Sequence, residues 1–246
     1  MAEARPQLSV VTICRNAAPA IEATLRSVVA QDHPSFEYVV VDGASTDATP
    51  EIVERYRGRI ARFMSEPDRG IAHAFNKGIA ASAGEWVLLL NAGDTFTHDG
   101  SLAQLAARTG AGARIVSARA RCGRRTIPRY AIRPGLGLLL RAHLSHQATL
   151  VHRDVYAEYG AYDESFRIRM DFDFFLRVLR RESVEFVDRE LVQFEPGGIS
   201  GREFRLHWSE GRRALRKNRC GPLLRMEYEA FFLALSCERL LSPGEG

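Results

Sequence analysis

The chain has 246 residues, enough for one large α/β domain with a small appendage. A net charge of +4 and an isoelectric point near 9.0 make it mildly basic, which suits an anionic partner such as a nucleotide, a phospholipid surface or nucleic acid without choosing among them. Cys14, Cys122, Cys220 and Cys237 lie far apart and form no CxxC pair, which excludes zinc spacing, and no apolar run approaches the roughly 20 residues that cross a bilayer.

Leu8 to Ile13 reads as a first buried strand, and Ala17 to Gln31 as a helix with Ile21, Leu25, Val28 and Val29 at helical spacing. Met1 to Gln7 is short and polar, so no signal peptide is expected, and the scattered cysteines fit a reduced, cytoplasmic setting. Phe36 to Val41 is a second strand, ending on Asp42-Gly43. Thr49 before Pro50 predicts an N-cap with proline at the first helical position. Ile60 to Ser65 is a third short strand, Gly70 to Ser82 a third helix and Glu85 to Leu90 a fourth strand. This alternation predicts a mostly parallel sheet with helices on both faces. The turn after the first strand, Thr12-Ile13-Cys14-Arg15-Asn16, holds no glycine, and there is no Walker loop, so phosphates are not held as in a dinucleotide-binding domain.

The fourth strand reads Val87-Leu88-Leu89-Leu90, a run buried on both faces, and stops on Asn91-Ala92-Gly93-Asp94. Ligands of open α/β sheets bind beyond the carboxyl ends of the strands, so Asp94 is an acid at the mouth of the sheet, where an oxygen-loving cation could sit. The plainer alternative is a turn, which Asn and Asp both favour.

From Gly100 to Arg153 there are ten arginines and no acid. The segment is either a solvated face or a surface for an anion such as a diphosphate, which arginine binds in bidentate fashion. Ala113 to Arg121 predicts a strand, Gly123 to Pro134 a basic loop and His146 to Val151 a further strand-like run. Met170 begins a helix whose core stripe is Phe172, Phe175, Leu176 and Leu179. Asp171 and Asp173 stand in its first turn, where either could simply be a cap. Val184 to Phe194 is a last strand. Beyond Gly201 a basic segment, Arg202 to Arg219, precedes an apolar helix, Leu223 to Leu241. This tail either packs on the domain or attaches to an anionic membrane surface.

Seven pieces in order resemble glycosyltransferase family 2, the inverting sugar-nucleotide transferases of GT-A fold. They are Val10-Val11-Thr12 with Asn16; Val39 to Asp47; Ser65 to Ile71 with Asn76-Lys77-Gly78; Gly84-Glu85-Trp86 running into Asn91 to Asp94; His146-Gln147; Gly160 to Phe166; and Asp171 to Arg177. Their joint form looks like a bacterial subgroup associated with surface polysaccharides. The resemblance implies a GT-A-type domain over 1–198, with a nucleotide-sugar half (8–98) and an acceptor half (99–198), followed by a helical tail (199–246). It implies donor contacts from Thr12, Asn16, Asp42, Asp68, Asn91 and Gly93, with Thr12 and Asp42 at the base and ribose. Asp94 would hold a Mg²⁺ or Mn²⁺ ion at the diphosphate, and Asp171 would be the catalytic base. His146 and Gln147 would face the acceptor, and Arg124 and Arg125 the acceptor or diphosphate. The family often has Asp-Asp where this chain has Asp42-Gly43, and acids where it has Asn91 and Gly93, which leaves one carboxylate for the metal.

The expected activity is transfer of a hexosyl or N-acetylhexosaminyl group from a nucleotide sugar, UDP-linked by preference, to a glycan or polyprenyl-diphosphate-linked acceptor. The expected setting is the cytoplasm or the inner face of the cell membrane, with no nucleic-acid partner. A catalytically silent sugar-nucleotide or polysaccharide-binding module is the alternative; intact acids at Asp94 and Asp171 count against it. On the functional reading of the second acid pair, Asp171 and Asp173 point about 200° apart around their helix. Asp171 then faces the substrate, and Asp173 caps the turn or pairs with Arg177 at the (i, i+4) spacing.

Overall fold

The computed structural model describes residues 6–128, 131–132, 137–138, 142–195 and 203–241, without the side chains of 234–241. Nine strands form one sheet: β1 (Leu8–Cys14), β2 (Phe36–Asp42), β3 (Arg62–Ser65), β4 (Trp86–Asn91), β5 (Thr95–Phe96), β6 (Ile115–Cys122), β7 (Arg125–Ile127), β8 (Thr149–His152) and β9 (Val184–Phe194). Their spatial order is β3-β2-β1-β4-β8-β6-β9-β5, with β7 pairing only β6. The pairs β1–β2, β1–β4, β2–β3 and β6–β9 are parallel, whereas β8, β5 and β7 run against their neighbours. Four pairs are thus parallel and four antiparallel, so the sheet is mixed rather than mostly parallel, and its four left-hand strands, parallel to one another, all end on the same edge.

Alternation along the central strands splits the core in two. Val11, Ile13, Val39, Val41, Val87 and Leu89 point to one face, and Leu8, Val10, Val40, Leu88 and Leu90 to the other. Helix α1 (Ala18–Val29) buries Ile21, Leu25 and Val28 on the second face, where α4 (Ser101–Ala106) also packs. On the first face lie α3 (Ile71–Ala81), α5 (Arg153–Tyr159) and α6 (Met170–Val178). Helix α2 (Thr49–Glu54) starts one residue earlier than expected. Asp47, not Thr49, does the capping: its carboxylate accepts the Thr49 N–H at 3.0 Å and the Thr49 hydroxyl at 2.6 Å.

Three further expectations change. The basic loop from Gly123 is in part a hairpin, because β7 pairs with the end of β6; residues 129–130 and 133–136 of that stretch lie outside the described residues. His146–Ala148 is a 3₁₀ turn, and only Thr149 onward is strand. Among the described residues, three of the ten arginines are neutralised from outside their own segment. Arg114 pairs with Glu158 and Glu182, Arg108 with Glu185 and Arg119 with Asp188, while Arg153 donates to the carbonyls of Ala83 and Gly84.

The tail forms α7 (Phe204–Lys217) and α8 (Pro222–Leu241). Ala214, Leu215, Tyr228 and Phe232 join the first-face core, so both helices pack on the domain. Among the described residues, no helix is long and apolar enough to cross a membrane.

Candidate active site

The carboxyl ends of β1 and β2 carry two loops that are stitched together. Asn16, in the left-handed region at φ 48°, accepts the Thr46 N–H on its side-chain oxygen at 2.9 Å, and its own N–H donates to Ser45 Oγ at 2.8 Å. The N–H groups of Ala17 and Ala18 donate to Thr49 and Asp47. Asp42 is fully buried and its carboxylate is spent on this rim: it accepts the Ser45 N–H at 3.0 Å, the Ser65 hydroxyl at 2.6 Å and the Ser45 hydroxyl. Thr12 is also fully buried, and its hydroxyl accepts from Tyr38 at 2.9 Å. Both side chains hold the rim in shape.

Asp68 enters the same rim from the segment after β3. One oxygen accepts the Gly70 N–H at 3.0 Å. The other lies where a Cβ on Gly43 would project, with Arg15 beside it. A carboxylate from a distant element thereby occupies the space that the missing second acid of the Asp-Asp pattern would need.

The turn after β4 is built around Asp94. Its Oδ2 accepts the Asn91 N–H at 2.7 Å and the Asn91 amide at 3.0 Å, and Asp94 N–H returns to the Asn91 carbonyl at 3.0 Å. Gly93 makes the turn possible: its φ of 102° suits glycine alone, and its N–H donates to Thr24 at 2.8 Å. Asp94 is 5% exposed. Burial pushes its carboxyl up to about 6, against the lowering pull of the Asn91 bonds, the His146 charge and a Gln147 hydrogen bond.

From Asn91 the contacts continue. The Asn91 amide lies 3.4 Å from His146 Nε2, and His146 Nδ1 lies 3.3 Å from Asp171 Oδ2. Asp94 and Asp171, one at a strand end and one at the head of α6, are thereby joined through an amide and an imidazole. The Asp171 side chain is 24% exposed. Burial would raise its carboxyl, but the His146 hydrogen bond and charge, the Arg169 charge and the Phe172 N–H outweigh it and hold it at about 2. The Phe172 N–H donates to Asp171 Oδ1 at 2.7 Å.

Asp173 turns the other way, as the helical angle demands, and is fully buried. Its partners correct the expected Arg177 pair. Lys217 Nζ donates at 2.7 Å and Asn218 Nδ2 at 2.9 Å, both from the tail, while Arg177 donates to the Ala161 carbonyl at 2.7 Å. A fully buried carboxylate needs a cation and further hydrogen bonds, and Lys217, which it shares with Asp163, and Asn218 supply them from the tail.

The site residues thus fall into two groups. Asn91, Gly93, Asp94, His146, Gln147 and Asp171 converge, while Thr12, Asn16, Asp42 and Asp68 form the adjoining rim. Arg124 and Arg125 are exposed at the β6–β7 hairpin. At that hairpin burial chiefly raises the Cys122 thiol, with smaller effects from the charges of Arg125, Glu195 and Asp94. Arg169 was not foreseen. It is 8% exposed, its guanidinium stacks 4.0 Å over Phe172, and it contacts His207 at 3.0 Å. A cation at a helix N-terminus opposes the helix dipole, and that mismatch is the signal that could have marked it. Among the described residues, no group of three His, Cys, Asp or Glu side chains could hold a metal ion.

The family profile described as Glycosyl transferase family 2 matches residues 9–187. A PGL/p-HBAD biosynthesis glycosyltransferase of Mycobacterium bovis is 30% identical over 186 residues, covering 71% of this chain and 70% of that protein. S. aureus TarS 1-349, solved in complex with UDP-GlcNAc, superposes with a TM-score of 0.73 at 20% identity, covering 92% of this chain and 71% of that one. A mannosyltransferase from Pyrobaculum calidifontis, solved in complex with GDP-Man and Mn2+, superposes with a TM-score of 0.70 at 20% identity, covering 94% and 70%.

Proposed function

This chain belongs to glycosyl transferase family 2, and from that premise we propose that it moves a sugar, with inversion, from a UDP-sugar to a hydroxyl of a glycan or lipid-linked acceptor during synthesis of a bacterial surface polysaccharide. The observation that carries this reading is the linking of two unlike acids through Asn91 and His146: Asp94, raised to about 6, and Asp171, held at about 2. Opposed environments for two carboxyls are the mark of divided roles.

The acceptor hydroxyl attacks the anomeric carbon and forms the new C–O bond as its proton passes to Asp171. The bond from the anomeric carbon to the diphosphate breaks, and its electron pair leaves with the nucleoside diphosphate. Asp171 is ionised at neutral pH and half-buried, so it is able to accept that proton, and His146 fixes its orientation. Asp68, the Gly43 backbone and the stitched loops form the nucleoside side of the pocket, with Thr12, Asn16 and Asp42 shaping it from behind. Arg124 and Arg125 add positive charge on the diphosphate side.

Asp94 would hold a divalent ion of the Mg²⁺ or Mn²⁺ kind together with the donor. A single buried carboxylate, aided by no second acid, suits a cation that keeps waters and takes further oxygens from phosphates. Such an ion supplies charge neutralisation on the leaving diphosphate. The Mn2+ in the Pyrobaculum mannosyltransferase complex and the UDP-GlcNAc in the TarS complex support the choice of metal and donor.

Attachment at an anionic membrane surface, where a lipid-linked acceptor lies, is supported by α8. Its inner face carries Leu224, Tyr228 and Phe232, while Leu223, Met226 and Leu233 are exposed on the opposite side, with Arg212, Arg216 and Arg225 lining a groove there.

The test is nucleotide release from a panel of UDP- and GDP-sugars with and without Mn²⁺. Release from a UDP-sugar by the wild-type chain and not by Asp171→Asn supports the assignment. Tight UDP-sugar binding with no release under any acceptor would instead favour a silent binding module.

A further inference from the structure

The segment that leads into Asp171 is held by a residue the family resemblance does not touch. Glu210, in the middle of α7, is 6% exposed. Its carboxylate accepts three successive backbone N–H groups: Arg167 at 2.8 Å on one oxygen, and Ile168 at 2.9 Å and Arg169 at 3.0 Å on the other. Those residues immediately precede α6, and Asp171 is the second residue of that helix. Three converging N–H groups fix both the position and the orientation of the backbone, because a carboxylate oxygen accepts only along its lone-pair directions. No neutral side chain could accept all three.

The surroundings are arranged around this bond set. Gly211, next in sequence, has no side chain because the Tyr228 ring fills the space a Cβ would take, which brings α8 against α7 at that point. Arg213 stacks 3.9 Å over Phe166 and donates to the Ser165 carbonyl at 2.8 Å, holding the start of the same segment. His207 meets Arg169, and Lys217 and Asn218 hold Asp173. The head of α6 is thus gripped from the tail at residues 165 to 173, on the side away from His146.

We propose that Glu210 is a positioning residue for the transfer reaction: it sets the backbone from which Asp171 projects, so that the C-terminal helices complete the active site and do not merely cover the domain. The inference rests on the reading of Asp171 as the base. In its absence the segment keeps its helix but loses the restraint that aims Asp171 between His146 and the acceptor, and an ångström of misplacement at a reacting group costs about a hundredfold in rate.

The test compares wild type with Glu210→Gln, Glu210→Ala and, as a control for tail docking alone, Leu215→Ala, whose side chain is buried in the first-face core. All are assayed at a temperature where denaturation curves show each folded. Turnover is read as nucleotide release from the UDP-sugar used by the wild type, UDP affinity by calorimetry, and backbone restraint by hydrogen exchange of a peptide spanning 165–172. Glu210→Ala is expected to lower kcat about a hundredfold and Glu210→Gln about tenfold. UDP affinity should stay within about twofold, and protection of the 165–172 amides should be lost. Leu215→Ala should lose stability and keep its kcat. The inference is overturned if kcat per folded molecule is unchanged in Glu210→Ala, or if kcat and UDP affinity fall together in proportion to unfolding. Persistence of turnover in Asp171→Asn would instead sink the base assignment, a result that the exchange data on Glu210 leave separate.

Discussion

Replacing Asp94 by asparagine should make the ligand-free protein more stable at neutral pH while abolishing transfer. Asp94 is 5% exposed, and burial raises its carboxyl from 3.8 to about 6. That displacement of about two pH units is worth about 3 kcal/mol, at about 1.36 kcal/mol per unit. The folded protein keeps a proton that the unfolded chain has already released. Stability is therefore fully present below about pH 4, is lost as pH rises towards about 6, and stays low above that. Asparagine has no charge to bury, and its carbonyl oxygen can accept the two Asn91 donors that Asp94 Oδ2 now takes. The gain at pH 7.5 should approach about 3 kcal/mol, or about 6–12 °C in melting temperature for a domain of this size. Urea denaturation of both proteins in EDTA, from about pH 4.5 to 7.5, reads it directly. The two curves should converge at the acid end and diverge towards neutrality. Parallel curves, or a less stable Asp94→Asn at pH 7.5, would show that the carboxylate is not strained by burial and that the reasoning is wrong.

Asp171→Asn should leave UDP binding within about twofold and lower transfer by about a thousandfold or more, measured as kcat against calorimetric affinity. Asp173→Asn should cost about 2–4 kcal/mol in chemical denaturation, because Lys217 loses a fully buried partner, with kcat per folded molecule retained. Gly93→Ala should destabilise by about 1–2 kcal/mol and weaken Mn²⁺-dependent UDP binding, since a side chain is strained at φ 102°. Glutamates at Leu223, Met226 and Leu233 should abolish flotation with anionic vesicles. Equal recovery of the wild type with neutral and anionic lipid at low salt would refute membrane attachment.

Much of this is legible in the sequence. The Val87–Leu90 run ending on Asn-Ala-Gly-Asp is four apolar residues followed by turn formers, and the structure makes it the central strand with Asp94 at its mouth. The opposite facing of Asp171 and Asp173 follows from helix geometry alone. The short helices α4 and α5 went unread because six or seven residues give too few periods to show a stripe. The antiparallel strand β8 and the pairing of β5 with β9 depend on chain reversal across long intervals, which local patterns do not encode. The same holds for side chains whose partners are distant in sequence. Spacing pairs Asp173 with Arg177, yet its cation stands 44 residues away. Asn76, part of a quoted motif, proves to be a bolt: it exchanges hydrogen bonds with the backbone of Tyr162 at 2.9 and 3.0 Å.

The carboxylate of Asp68 lying in the space above Gly43 has an evolutionary consequence. Positions 43 and 68 cannot vary freely of one another, because one volume is shared between them. An aspartate introduced at 43 alone would set two like charges in the same hole and displace Asp68 from the Gly70 N–H it accepts. A small residue introduced at 68 alone would leave the rim short of an acid. Passage from an Asp-Asp ancestor to this chain, or back, therefore runs through an intermediate with either two acids in conflict or none. A Gly43→Asp, Asp68→Ser double substitution should be healthier than the sum of its single changes.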